Sequence, residues 1–124
     1  MNIIFITNNP LIYKSYSKKY KVSFHDNHYI KILEITRDKI HQGHKLLTHP
    51  LSSSLKPNET PYKTILITEN SSNLDINSLM IIENSIQTTQ KFLRDKVISN
   101  WDERKLEDFQ IVDFDLIENV LNLI

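Results

Sequence analysis

The chain has 124 residues, no cysteine, and 15 basic residues against 15 acidic ones. That length bounds it to a single domain, residues 1–124, held together by its own core. The lack of cysteine excludes disulfides, thiolate zinc sites, iron–sulfur clusters and thiol nucleophiles. A net charge of zero gives no general attraction for nucleic acid, and no apolar run approaches the ~20 residues that cross a bilayer.

No basic segment followed by an apolar stretch opens the chain, so no secretory signal is expected and the cytoplasm is the expected location. Residues 1–62 carry nine Lys and Arg against four acids, a net +5 that leaves −5 for the rest. In one domain the two halves interleave, which favours complementary faces over a basic recognition surface.

The run Asn2 to Thr7 is apolar on both sides, the mark of a strand covered on both faces. Asn9 is placed to cap a helix that starts at Pro10 and runs to about Lys19. Lys21 to His25 alternates apolar and polar residues, as an edge strand does. Asp26-Asn27 supplies a cap for a helix over Tyr29 to Gln42, whose inner stripe is Tyr29, Ile32, Leu33, Thr36 and Ile40. Gly43, the single glycine in the chain, stands where a helix ends in a residue of positive φ.

Lys45 to His49 is expected as a third strand and Lys63 to Thr68 as a fourth. Between them Pro50 to Tyr62 holds three of the four prolines; so long a connection without regular structure is uncommon in a small domain and usually functional. Helical spacing then runs from about Asp75 to Ile98 through Leu79, Ile82, Ile86, Thr89, Leu93 and Val97. Trp101 to Asp108 is a charged stretch, and Asp115 to Ile124 a separate short amphipathic helix with Asp115 and Glu118 as a capping pair.

The order predicts an α/β fold: a three-layer, Rossmann-like single domain with helices on both faces of a four-stranded, mostly parallel sheet of order 2-1-3-4. The connection between the third and fourth strands contains no helix, which leaves an antiparallel fourth strand open.

In such a sheet ligands sit beyond the carboxyl ends of the strands. If the first and third strands are neighbours, Asn8, Asn9, Thr48, His49, Ser52, Ser53, Ser54, Lys56, Asn58 and Glu59 converge on one polar crevice. Hydroxyls, loop N–H groups, a helix N-terminus and Lys56 would suit a small anion such as a phosphate or carboxylate. There is no glycine-rich phosphate loop or dinucleotide fingerprint, and the competing reading is a Ser- and Asn-rich loop that caps its own backbone.

Five histidines fall between His25 and His49, but only His49 sits at a strand end facing the crevice. No metal and no cofactor are expected, since a metal site needs three or four converging ligands. His49 with Glu59 is the one candidate pair for acid–base catalysis; against it stands a ring that bonds the loop backbone. The tyrosines lie mostly at helical core positions, which disfavours a stacking surface for single-stranded nucleic acid.

Three segments, Ile6-Thr-Asn-Asn-Pro-Leu11, Gly43-His-Lys-Leu-Leu-Thr-His-Pro-Leu51 and Lys56-Pro-Asn-Glu-Thr-Pro-Tyr-Lys63, together with Glu83-Asn-Ser-Ile86, resemble the GrdX family of small proteins. The genes of that family accompany the glycine, sarcosine and betaine reductase systems of anaerobic bacteria that ferment amino acids. The resemblance implies an accessory role beside a multi-subunit reductase and supplies no reaction or catalytic residue. Where the family pattern has a glycine this chain has Ser53, which weakens an anion nest at that residue.

The combined expectation is a non-catalytic accessory protein that binds a small anionic ligand or a reductase-complex subunit at the strand-end crevice. A small enzyme using His49 and Glu59 is the alternative. No nucleic-acid or membrane partner is expected, and the apolar tail Asp115 to Ile124 suits either homodimer formation or packing on the chain's own core.

Overall fold

Five consecutive buried residues make Ile3–Thr7 the central strand, β1. The computed structural model describes residues 2–95 and 101–124. Asn9 ends β1 by capping helix α1 (Pro10–Tyr16): its Oδ1 accepts from the Leu11 N–H at 3.0 Å, and Pro10 occupies the first turn, where a missing N–H costs nothing. Strand β2 (Lys21–Phe24) returns parallel to β1 at the sheet edge, Phe5 opposite Val22.

Helix α2 (Tyr29–His41) buries the stripe that its spacing predicts: Tyr29, Ile32, Leu33, Thr36 and Ile40. Its cap differs from the expected one. His28 holds the cap position without a side-chain bond to the helix, and the Asn27 Oδ1 accepts from the His28 N–H at 2.8 Å.

Gly43 leaves α2 with φ +103°, in the region open to glycine. The chain is also pressed there against a neighbouring turn. The Ser72 N–H donates to the Gly43 carbonyl at 3.1 Å, and a Cβ on Gly43 would lie 2.0 Å from the Ser72 carbonyl oxygen. Gly43→Ala is therefore expected to lose roughly 3 kcal/mol of stability, by backbone strain and by displacing the Ser72 turn. A urea denaturation midpoint unchanged from the parent protein would refute this.

The sheet departs from expectation. It has three strands in the order β2-β1-β3, with β3 (Thr64–Thr68) antiparallel to β1 and Thr7 opposite Thr64. The four-stranded, mostly parallel Rossmann-like sheet of order 2-1-3-4 is thus incorrect. The segment expected as the third strand, Lys45 to His49, makes one isolated antiparallel bridge, Leu46 to Ile67, on the outer side of β3. The reason lies in the connection. A parallel return needs a crossover, usually a helix, and the proline-rich insert between His49 and Lys63 forms none. The chain folds back on itself, and β3 takes the place beside β1.

Helices cover both faces. Ile4, Ile6, Ile65 and Ile67 face α2 and helix α3 (Ile76–Asp95), meeting Ile32, Leu33, Ile40, Ile82 and Ile86. Ile3, Phe5 and Leu66 face the other way, against Ile12 of α1 and Ile117 of helix α4 (Glu103–Leu123). Residues 96–98 of the helix expected from Asp75 to Ile98 lie outside the described residues. Among the described residues no helix is long and apolar enough to cross a membrane.

The separate C-terminal helix is also corrected. Residues 103–123 form one helix, capped by Asp102, whose Oδ1 accepts from the Lys105 N–H at 2.9 Å. Asp115 and Glu118 therefore lie in mid-helix and cap nothing. No glycine or proline interrupts residues 102–124, so nothing stops the helix where a break was expected. Its apolar side, with Phe114, Val120 and Leu121 beside Ile117, packs on the chain's own core.

Candidate functional site

The insert satisfies much of its own backbone. The His49 Nδ1 accepts from the Leu51 N–H at 3.1 Å, the Ser53 Oγ from the Leu55 N–H at 3.1 Å, and the Glu59 Oε1 from the Lys56 N–H at 2.8 Å. His49 and Glu59, the acid–base candidates, thus each bond a neighbouring loop N–H. The Lys56 Nζ lies 5.8 Å from the centre of the Phe92 ring, within cation–π range. Ser54 is exposed, and the buried Oδ1 of Asn58 has no hydrogen-bond partner among the described residues.

Asn8 and Asn9 do other work. The Asn8 Oδ1 accepts from the Lys63 N–H at 2.8 Å, and its Nδ2 donates to the carbonyls of Asn27 and Pro61 at 2.9 and 2.8 Å. It pins the end of β1 to the turn before α2 and to the end of the insert. Asn9, beyond its cap, donates through Nδ2 to the Asp113 Oδ2 and the Gln110 carbonyl of α4, both at 3.0 Å.

Asp113 closes a buried polar ring. The Thr64 hydroxyl donates to the Asp113 Oδ2 at 2.6 Å. With its one proton committed there, Thr64 must accept from Thr7, 2.7 Å away, and the Thr7 Oγ1 in turn accepts from the Asn9 N–H at 2.9 Å. The ring ties β1, β3, α1 and α4 together. Burial holds the Asp113 carboxyl above the usual carboxylate range, although the bonds from Thr64 and Asn9 and the charge of Lys63 pull it back. The nearby Tyr29 hydroxyl is pushed up, first by burial and then by Asp113.

Lys63 immediately precedes β3 and is 2% exposed. Its Nζ donates to the Ser52 carbonyl at 3.1 Å. The single ion pair among the described residues joins Arg37 to Glu83, so no carboxylate lies within 4 Å of this ammonium. Burial lowers it from 10.5 to about 8, with Asp113 opposing. Lys63 lines a hollow of about 230 Å³ with Thr48, His49, Ser52 and Thr64 on one side and Leu47, Leu116, Ile117 and Val120 on the other. No acidic side chain is among these residues.

The hollow is equipped with donors. The Thr48 Oγ1 accepts from the Leu66 N–H at 3.1 Å, which leaves its own proton to give. His49, accepting at Nδ1, carries its proton on Nε2 when neutral. One cation, two further donors and an apolar wall are complementary to a small anion with a short carbon skeleton.

A larger pocket of about 390 Å³ lies beyond the carboxyl ends of β1 and β2, walled by Ile30, Pro57, Pro61, Leu93, Trp101 and Leu106, with Asn8, Tyr29 and Tyr62 also lining it. It occupies the place where parallel strands present ligands. Its polar groups suit an anion less well: both Asn8 amide protons are already donated, no lysine or arginine lines it, and its one carboxylic side chain is Asp26.

The ten residues expected in one crevice are therefore dispersed. Thr48, His49 and Ser52 share the Lys63 hollow; Asn8 lines the larger pocket; Ser53 lines a third, small recess with Tyr29, Asp113 and Lys63 itself. Asn9, Ser54, Lys56, Asn58 and Glu59 line none of the three. Their convergence required the segment 45–49 beside β1, and β3 lies there instead.

Lys63 and Asp113 are the residues that sequence reasoning passes over, though each leaves a trace. Lys63 immediately precedes the apolar run Thr64–Thr68, where a charge is costly. Asp113 falls four residues after Phe109 and four before Ile117, on the apolar stripe of one continuous helix; dividing that helix hides it. Among the described residues no three His, Asp or Glu side chains gather as a metal site would need. No curated protein and no solved structure matches the chain significantly. The family model described as GrdX-like protein matches residues 4–122, nearly the whole chain. The chain belongs to the GrdX-like protein family.

Proposed function

We propose that the protein is an accessory component of glycine reductase systems that holds a small anionic ligand, a carboxylate or phosphate, in the hollow beside Lys63. Membership of the GrdX-like family supports the accessory role. The observation that carries the binding reading is Lys63 itself: a wholly buried ammonium with no carboxylate within 4 Å, set against hydroxyls, His49 and an apolar wall. A buried charge with no ion-pair partner in contact is unfavourable to folding; Asp113 offsets only part of that cost from beyond 4 Å, and an anion in the hollow relieves more of it. The volume suits a ligand of a few heavy atoms. In this reading the accessory protein carries or senses such an anion for a reductase subunit.

Calorimetric titration with acetate, glycolate and inorganic phosphate tests the reading. At least one is expected to bind and to raise the melting temperature, as any ligand of the folded state does. Lys63→Met is expected to lower that affinity on the order of a hundredfold, the loss of a desolvated charge-assisted contact. Absence of binding by all three, or equal binding by the variant, would remove the hollow from the account.

A further inference from the structure

Lys63 combines a buried amine, an apolar wall and a cavity of small-molecule size, and this combination does more than attract charge. The Nζ has the Ser52 carbonyl as its partner at 3.1 Å and no carboxylate within 4 Å, and the charge of Asp113 does not outweigh the burial of the amine. Leu116, Ile117 and Val120 of α4 shield one side of the hollow from water. We propose that Lys63 forms a reversible imine with a small carbonyl compound held in this hollow, a 2-oxo acid or aldehyde acid whose carboxylate is met by His49 and Thr48. The proposal rests on the anion-binding reading and narrows its ligand to one chemical class.

The chemistry is self-contained. The Nζ lone pair adds to the carbonyl carbon, a C–N bond forms, and the carbonyl π pair moves to oxygen. Both Nζ protons leave with that oxygen as one water, and the imine takes a proton from solvent to become an iminium. No oxidant or reductant is needed. The iminium restores a positive charge beside the ligand carboxylate, so the attraction that draws the anion in persists in the adduct. A free amine is accessible near neutrality because burial lowers Lys63 to about 8.

The experiment is reductive trapping on the full chain. The protein is incubated at pH 8 with glyoxylate and cyanoborohydride, digested, and mapped by mass spectrometry, with acetate as the carbonyl-free competitor. The expected result is a reduced adduct concentrated on Lys63 over exposed lysines such as Lys18, suppressed by excess acetate, with glyoxylate binding on the order of tenfold tighter than acetate. This readout needs no variant and so does not depend on any variant folding. Adducts spread over surface lysines with Lys63 unmodified, while acetate and glyoxylate bind equally, would overturn the imine and leave the anion site standing. Failure of both to bind would overturn both.

Discussion

Lys63→Met is expected to raise the free energy of unfolding by about 2 kcal/mol at pH 7 while weakening anion binding on the order of a hundredfold. A substitution at a purely structural lysine would do the reverse. The cost of burying this ammonium is read from its displacement from 10.5 to about 8, which amounts to about 3 kcal/mol at neutral pH. Methionine fills the space without charge, and the Ser52 carbonyl, on an exposed residue, returns to water. Lys63 is a base held lower in the folded state than in the unfolded chain. Between pH 8 and 10.5 the unfolded chain binds more protons, so the free energy of unfolding of the parent protein rises with pH across that window. The variant lacks this rise, and the difference between the two proteins closes toward pH 10.5. Urea denaturation of both at pH 7 and pH 10 checks the argument. A variant less stable than the parent at pH 7 would make Lys63 a member of the structural framework and would weaken the case for a ligand. Stability given up at one buried residue is what a binding site built on that residue predicts.

The second large effect lies at Asp113. Asp113→Ala leaves the Thr64 hydroxyl and one of the two Asn9 amide bonds without an acceptor in the interior and is expected to cost about 3 kcal/mol. Asp113→Asn offers a carbonyl oxygen to both donors and is expected to stay within about 1 kcal/mol of the parent at low pH. The two proteins then diverge with pH. Burial raises the folded carboxyl above its ordinary 3.8; between 3.8 and the folded value the native state keeps a proton that the unfolded chain has lost. The free energy of unfolding of the parent therefore falls as pH rises through that window, and that of the Asn variant does not. At pH 7 Asp113→Asn is expected to be at least as stable as the parent. Equal losses for the Ala and Asn variants would show that the ring depends on an ionised carboxylate rather than on an acceptor oxygen.

Both residues sit at the same seam, where β1 and β3 meet under α4. The ring of Thr7, Thr64, Asn9 and Asp113 anchors α4 to the sheet, and α4 supplies the apolar wall of the hollow through Leu116, Ile117 and Val120. Site and scaffold are thus one construction. Loosening α4 by Asp113→Ala should weaken anion binding as well as stability, whereas Asp113→Asn should spare both.

Much of this protein is written in local pattern. The spacing of Tyr29, Ile32, Leu33, Thr36 and Ile40 names the buried face of α2, the doubly apolar run Ile3–Thr7 names the central strand, Asn9-Pro10 names the start of α1, and the lone Gly43 marks the positive φ. Each depends on interactions within a few residues, which periodicity and capping chemistry record directly. The family is legible as well, through three motifs spread along the chain.

What tertiary structure alone decided is which segments became neighbours. Strand pairing is a contest between distant pieces of chain. Lys45 to His49 and Thr64–Thr68 carry similar propensities for the place beside β1, and Thr64–Thr68 occupies it with five antiparallel partners, leaving the other segment one bridge. That exchange scattered the crevice expected around Asn8 and the insert. It also brought together residues far apart in sequence, Lys63 with Ser52 and Thr64 with Asp113. A buried lysine and a buried aspartate look like ordinary charged residues in a sequence of balanced charge. Only the packed sheet and helices take the water away from them, and it is the loss of water that gives them chemistry.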